Sequence, residues 1–592
     1  MEKPSRAGFY RLESPTSARD GISPTCCLYR KRLCKGFVLL WVLSAITSVL
    51  YLSMLADKGI LKLQPKPLQV KKYGNMSTSG FASQKRTTVS QPIATDTWRK
   101  LSPTLVSNSF FYIRNPKANY NICDQLELYI EARDAQNKTK TRGGDHMWPF
   151  LRTASLNASA PADELIDHGN GTYTARFSLH WAGEVEPQVR FVFSREHAHF
   201  LRSVRERVPD RFTYDGKFTD NRTIEITPCH INRNIFVDRA AVGLSYASKS
   251  EVCDLSDRKA GTTWFCLKPA TLTCANYAQH KANLQRKGRE YVYSLLLPNK
   301  RRVAHSQALL QSLGRVRTVH VNSGVSDSTC LDLSPCYLGL PPKRPHRAAG
   351  YYFRDLWKSK VCHARELRLT DTLRCLRNKR LYFYGDSTIR QWFEYLVAHL
   401  GDSMKEERIT SITVSKVGLR RGWDATHNIT LFFRHHEYPI RNSWIDVANI
   451  KFTVNEIDGL PGGADTVVAL TMFAHFTHTN LTYYQSRLER VRDAIGRLQR
   501  RGAGTSPVFI KSANTGNPIS ADTSDLYAYD LDQTMRAVFA DSPDVTILDV
   551  WDMTLSHRSG YNIHPVEAVV REESKMFLNF LCSEAVSTKQ TL

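Results

Sequence analysis

The chain has 592 residues and a formal net charge of +25, with 42% hydrophobic and 23% charged residues, proportions that exclude a disordered or fibrous protein. That length accommodates two or three domains with cores of their own. The basic excess suits anionic partners such as acidic glycans, and because no nucleic-acid-binding motif accompanies it, nucleic acid is not an expected partner.

Phe37 to Leu55 is an uncharged run of nineteen residues; as a helix it would be about 28 Å long, enough to cross a bilayer core. Arg30, Lys31, Arg32 and Lys35 crowd its N-terminal side, whereas Asp57 and Lys58 nearly cancel on the other. The positive-inside rule therefore makes residues 1–36 a cytosolic tail and 37–55 a type II signal-anchor, with the remainder lumenal. The alternative is a cleaved signal peptide and a secreted product, but a polar leader of 36 residues is long for such a segment. Cys26, Cys27 and Cys34 fall on the cytosolic side, where thiols stay reduced. The other ten cysteines are an even, lumenal set that allows up to five disulfides in a connectivity the sequence does not reveal. No Cys-x-x-Cys meets a histidine partner at zinc spacing, so no metal site is expected. Glycosylation sequons at Asn75, Asn137, Asn157, Asn170, Asn221, Asn428 and Asn480 all follow the apolar run, as a lumenal glycoprotein requires.

Residues 56–104 are rich in Lys, Ser, Thr, Gln and Pro without a sustained period and read as a stem. Over 105–230 short alternating runs, Leu126-Leu128-Ile130, Tyr173 to Trp181 and Val189-Phe191-Phe193, indicate an all-β immunoglobulin-like sandwich. Residues 231–349 are cysteine-rich and weakly periodic, a connecting region held by disulfides; its basic clusters at 286–289 and 300–302 read as a solvated face. From 350 to 592 apolar runs of strand length, 465–471, 507–511 and 544–550, alternate with helices carrying Leu488, Val491, Ile495 and Leu498, then Leu531, Met535, Val538 and Phe539. That alternation predicts an α/β doubly wound sheet with functional groups at the carboxyl ends of its strands.

The most informative stretch is Arg380-Leu-Tyr-Phe-Tyr-Gly-Asp-Ser-Thr-Ile-Arg-Gln-Trp-Phe-Glu-Tyr-Leu396. An apolar strand breaks at Gly385 and gives way to a helix with Trp392, Phe393, Leu396, Val397 and Leu400 on one face. Ser387 stands at the turn, where free N–H groups and the positive end of a helix dipole favour an oxyanion. Gly401-Asp402-Ser403 repeats the tripeptide without a strand before it, so the tripeptide alone has no specificity. Ser387, His475, Asn514, Asp549, Asp552 and His564 all follow predicted strands. A serine nucleophile needs a base of suitable pKa, and histidine supplies it.

The wording Tyr382-Phe-Tyr-Gly-Asp-Ser-Thr-Ile-Arg-Gln-Trp-Phe-Glu-Tyr-Leu396, the cysteine-rich region and His564-Pro565 together resemble the neurexophilin and PC-esterase domain (NXPE) family over most of the chain after about residue 105. The resemblance implies an SGNH-like C-terminal domain and a neurexophilin-like half before it. It also implies that Ser387 and His564 are the catalytic pair. The aspartate three residues before the histidine is replaced by Tyr561, leaving Asn562, Asp549, Asp552 or a main-chain carbonyl to orient the imidazole. Asn514 and His475 are the candidates for oxyanion or substrate contacts. The implied function is a Golgi O-acetyltransferase or O-acetylesterase for sialylated glycans, with acetyl-CoA as an acyl donor and no bound cofactor. The other function implied is a catalytically inactive glycoprotein ligand for neurexin-like receptors.

Overall fold

The computed structural model describes residues 102–583 apart from 208, 210–211, 221, 238–250, 284–308, 315–316, 324–329, 341–346, 409–416, 442, 517–523 and 561. The apolar run Phe37–Leu55, the tail before it, almost all of the stem and both basic clusters lie outside the described residues. Among the described residues no helix is long and apolar enough to cross a membrane.

Period-two burial builds the first layer. In Gln125–Glu131, Leu126, Leu128 and Ile130 are buried and Gln125 is exposed; in Thr172–Ser178, Tyr173, Ala175 and Phe177 are buried and Arg176 is exposed. The two strands pair antiparallel within a five-stranded sheet. Its apolar face shares one core with a seven-stranded sheet, which contributes Met147, Leu151, Val185, Val189 and Phe191, so the two sheets form a sandwich.

The boundaries differ from the sequence expectation in two places. Residues 213–230 do not belong to the sandwich: Thr213–Thr219 and Ile224–His230 pair in a separate six-stranded sheet with Val252–Asp254, Phe265–Leu267, Tyr277–Asn283 and Ile445–Asp446. Conversely, Gly350–Phe353 and Leu356–Ser359, expected in the C-terminal domain, extend the seven-stranded sheet. The cysteine-rich segment has little visible period because two of its strands are only three residues long; disulfides Cys229–Cys266 and Cys253–Cys274 join them within a core shared with Tyr214, Phe218 and Trp264. Cys123–Cys330, Cys336–Cys362 and Cys375–Cys582 complete the pairing of the ten.

The C-terminal sheet positions the site. Its strands, labelled in chain order, are β1 (Arg380–Gly385), β2 (Lys405–Arg408), β3 (Arg420–Asp424), β4 (Ile429–His435), β5 (Thr466–Thr471), β6 (Val508–Lys511) and β7 (Val545–Leu548). The spatial order is β2-β3-β4-β1-β5-β6-β7, parallel from β4 to β7 with an antiparallel edge of β2 and β3. Leu381 and Phe383 of β1 enter a core with α1 (Ser387–His399) and α4 (Glu567–Leu581), while Tyr384 enters another with α2 (Leu481–Leu498) and α3 (Asp525–Val538). Helices therefore cover both faces. Because the chain leaves β1 toward β4 and later returns on the other side as β5, the carboxyl end of β1 is a topological switch point, where such sheets hold ligands.

Gly385 ends β1 at φ +144°, and a Cβ built there would fall 2.1 Å from the carbonyl oxygen of Thr471 on β5. Only glycine permits that approach. Gly385→Ala is expected to destabilise the domain by about 3 kcal/mol or more, from strain plus displacement of β5. The check is the melting temperature and yield of the full-length chain, and wild-type values for both would contradict the reading.

Candidate active site

Asp386 caps α1, and it is completely buried. Its Oδ1 accepts from the Thr388 N–H and hydroxyl, both at 2.8 Å, and its Oδ2 accepts from the Ala474 N–H at 3.0 Å. This carboxylate joins the turn after β1 to the turn after β5. It fixes the residue that follows, Ser387, at the first position of a thirteen-residue helix. Ser403 of the repeated tripeptide has no such setting: its hydroxyl donates to Asp424 at 2.9 Å.

Ser387 and His564 meet across 177 residues of sequence, with Oγ and Nε2 2.6 Å apart. The histidine is exposed on the loop before α4, so its position depends on how that loop is held. Asn562 Oδ1 accepts from the His564 main-chain N–H at 3.0 Å, closing an Asx turn. The Asn514 amide donates to the Ile563 carbonyl, and the Gln391 amide on α1 donates to the Pro565 carbonyl, each at 3.0 Å. A Cβ on Gly516 would lie 2.8 Å from Ile563, so the loop seats directly on the segment after β6.

Behind these contacts is a buried polar chain. The Lys511 ammonium, at the end of β6, donates to Asn514 Oδ1 and lies 3.8 Å from Glu573 of α4, whose Oε2 accepts from Trp392 Nε1 at 2.6 Å. Burial pushes the Lys511 ammonium down and the Glu573 carboxyl up, and each opposes the other's shift. One network thus ties α1, which carries the serine, to α4 and to the loop that carries the histidine.

The remaining candidates separate. Asn514 is buried, and its contacts make it a positioning residue for His564 in place of the expected oxyanion donor. Asn562 acts on the main chain of His564. Asp549 accepts from the Trp551 N–H and pairs with Arg536 at 3.1 Å, and Asp552 accepts from the Ala349 N–H at 2.7 Å. Both line a cleft shared with His146, Trp148 and Tyr529. Tyr561 lies outside the described residues. His475 lies with His435 and His436, whose rings are centred 4.4–5.0 Å apart. Burial pushes His435 and His436 down to about 3, and His475 well below its ordinary value, with Arg487 and Arg441 adding to the shift of His436. The sequence reading missed His435, His436, Lys511 and Gln391. Ile429, Leu431 and Phe433 do alternate into the paired histidines, and that strand ending is a usable signal.

Among the sequons, Asn137, Asn170 and Asn428 are exposed. Asn157 and Asn480 are partly buried, with amide nitrogens donating to Asp355 and Glu206 at 3.1 and 3.0 Å. Asn75 and Asn221 lie outside the described residues.

A serine paired with a histidine at the switch point of a parallel sheet is the geometry of an α/β serine nucleophile. The NXPE family member 4-like C-terminal domain model matches residues 357–582, and the Neurexophilin model matches residues 101–291. The chain belongs to the NXPE and neurexophilin family. Among solved structures, similarity extends to FdeC, an Escherichia coli adhesin (12% identity, 36% of this chain and 66% of that one, TM-score 0.13). It extends also to invasin, a bacterial integrin-binding protein (8%, 57% and 60%, TM-score 0.13), and to the Yersinia pseudotuberculosis adhesin InvE (13%, 56% and 94%, TM-score 0.13). The chain spans just under two thirds of the FdeC chain, and at these scores the likeness carries no argument.

Asn514→Ala frees the Ile563 carbonyl and removes the acceptor from Lys511. A histidine displaced by about 1 Å slows a positioned reaction on the order of 100-fold, so a fluorophosphonate should label Ser387 roughly 10- to 100-fold more slowly in this variant. Unchanged labelling would show that Asn514 does not position His564.

Proposed function

We propose that the chain is a lumenal, serine-dependent carbohydrate O-acyltransferase with an SGNH-like catalytic domain, anchored in the Golgi membrane through Phe37–Leu55. The observation that carries the reading is the 2.6 Å contact between Ser387 Oγ and His564 Nε2 at the N-terminus of α1. The Ser387 hydroxyl donates its proton to Nε2 as Oγ attacks the acyl carbonyl of a donor such as acetyl-CoA. The Ser387 main-chain N–H, at the positive end of α1, serves the developing oxyanion, since the Thr388 N–H is taken by Asp386. The imidazolium returns the proton to the departing thiolate, leaving an acyl-serine and a free thiol. A sugar hydroxyl then attacks the acyl-serine; His564 takes its proton and passes it to Ser387 Oγ as the ester bond breaks. Water in place of the sugar makes the same site an esterase. The basic surplus of the chain suits sialylated acceptors, and the stem-and-anchor reading favours synthesis over hydrolysis.

The test is glycan O-acetylation, read by mass spectrometry, in cells lacking the protein and re-expressing variants at matched abundance, since abundance itself follows stability. Ser387→Ala and His564→Ala should each remove nearly all of the signal, with the double variant little worse than either, because nucleophile and base act as a unit. Full restoration by Ser387→Ala, or no change with the wild-type chain, would overturn the enzyme reading in favour of a ligand for neurexin-like receptors.

A further inference from the structure

The two strands that flank β1 both lead into histidine at their carboxyl ends. His435 closes β4, His436 follows it, and His475 lies in the turn after β5. One ring nitrogen from each lies within 4.8 Å of the others. The main chain beside the histidines is tied directly to the nucleophile turn: the His436 main-chain N–H donates to the Gly385 carbonyl at 3.0 Å, and the main-chain N–H of Ala474, the residue before His475, donates to Asp386 Oδ2.

The hydrogen bonds fix which ring nitrogens carry lone pairs. His435 Nδ1 faces the His436 carbonyl at 2.9 Å, and His436 Nδ1 faces the Glu437 carbonyl at 2.6 Å. A carbonyl oxygen only accepts, so both Nδ1 atoms are protonated and, in a neutral ring, both Nε2 atoms hold lone pairs. His436 Nε2 is buried without a hydrogen-bond partner, and so is His475 Nδ1. If the cluster served only as core, leucine or phenylalanine would fill the space without the cost of burying unpaired polar atoms. Imidazoles with one nitrogen held by a main-chain carbonyl and the other aimed at its neighbours have the outer-shell arrangement of metal-binding histidines.

We propose that His435, His436 and His475 bind a divalent zinc-type ion, one ring nitrogen from each, beside the Ser387 turn. Tetrahedral zinc at about 2.0–2.1 Å from each nitrogen needs ligand atoms roughly 3.3 Å apart, so the rings close inward by about 1.5 Å at most. Three histidines leave a fourth position open, as in catalytic rather than structural zinc sites. The charges facing the cluster are Asp386 and Arg390 toward His435, and Arg441 and the Glu437-paired Arg487 toward His436. Arg390 is itself paired with Glu394 at 3.2 Å, so the formal charges around the cluster balance. The geometric reason the sequence predicts no metal here is that the ligands come from the ends of two strands and contain no cysteine.

The test reads metal, not acyl transfer, so its failure is separate from that of the proposed enzyme function. The full-length chain, expressed in mammalian cells without a polyhistidine tag, should carry close to one zinc per molecule by plasma mass spectrometry. His436→Ala and His475→Gln should lower that content at least tenfold, the scale on which histidine sites lose affinity when their supports are removed. His399→Ala, an exposed histidine at the end of α1, should retain it. Because a core variant can fail to fold, chelator-stripped wild-type chain is also titrated with cobalt, which should give the visible ligand-field bands of a tetrahedral site. Metal-free wild-type protein without a cobalt spectrum would overturn the proposal, and so would zinc retained in both folded variants.

Discussion

The constraint on which the C-terminal domain depends is the contact between Gly385 and the main chain of Thr471. Two parallel strands diverge at their carboxyl ends unless something holds them, and here the absence of a side chain at 385 lets one backbone lie against the other. Asp386 then hydrogen-bonds both to α1 and to the segment after β5, so the strand ends close around a carboxylate with three donors. Burying such a group is costly unless every lone pair is met, and those donors are what make the position tolerable. Ser387 follows from this turn as a consequence: with Asp386 as the N-cap, it is the first residue of the helix.

The histidine side is built differently. Nothing in the local sequence of residues 562–565 forces a regular element, and the loop is held by side-chain amides from the segment after β6 and from α1 acting on its carbonyls. The Asn514 amide is in turn held by the buried Lys511, which lies 3.8 Å from the buried Glu573. Isolated, each ion would cost several kcal/mol to bury, and the pair is worth keeping only where geometry matters more than stability. A hydrophobic pair in place of Lys511 and Glu573 would fill the core equally well and leave Asn514 free to turn. The network therefore trades stability for the position of a histidine far away in sequence.

The sequence made β1, α1, β5, β6, α2 and α3 legible because their apolar residues repeat at the period of the element and their breaks fall on glycine or a capping residue. Tyr173, Ala175 and Phe177 announced the sandwich in the same way. Ser387 and His564 were readable as residue types at strand ends and through family resemblance. Residues 213–230 were misplaced because alternation identifies a strand without naming its sheet; that choice is made by Cys229, whose partner Cys266 lies in another segment. Asn514 was located correctly after its strand, but its role depends on Lys511 and Ile563, which only the packed structure brings together.

The dyad and the histidine cluster also divide the strand ends between two chemistries. Ser387 faces His564, whose loop comes from the β6 side and from α4. His435, His436 and His475 come from β4 and β5, on either side of β1. An acyl group held at Ser387 would therefore have the proton-transfer base on one flank and neutral nitrogen donors on the other, separated by the Gly385–Asp386 turn. That separation sets the exposed His564 apart from His435 and His436, which are buried. Two histidine environments of opposite accessibility around one serine follow from a topology in which the central strand has parallel neighbours on both sides.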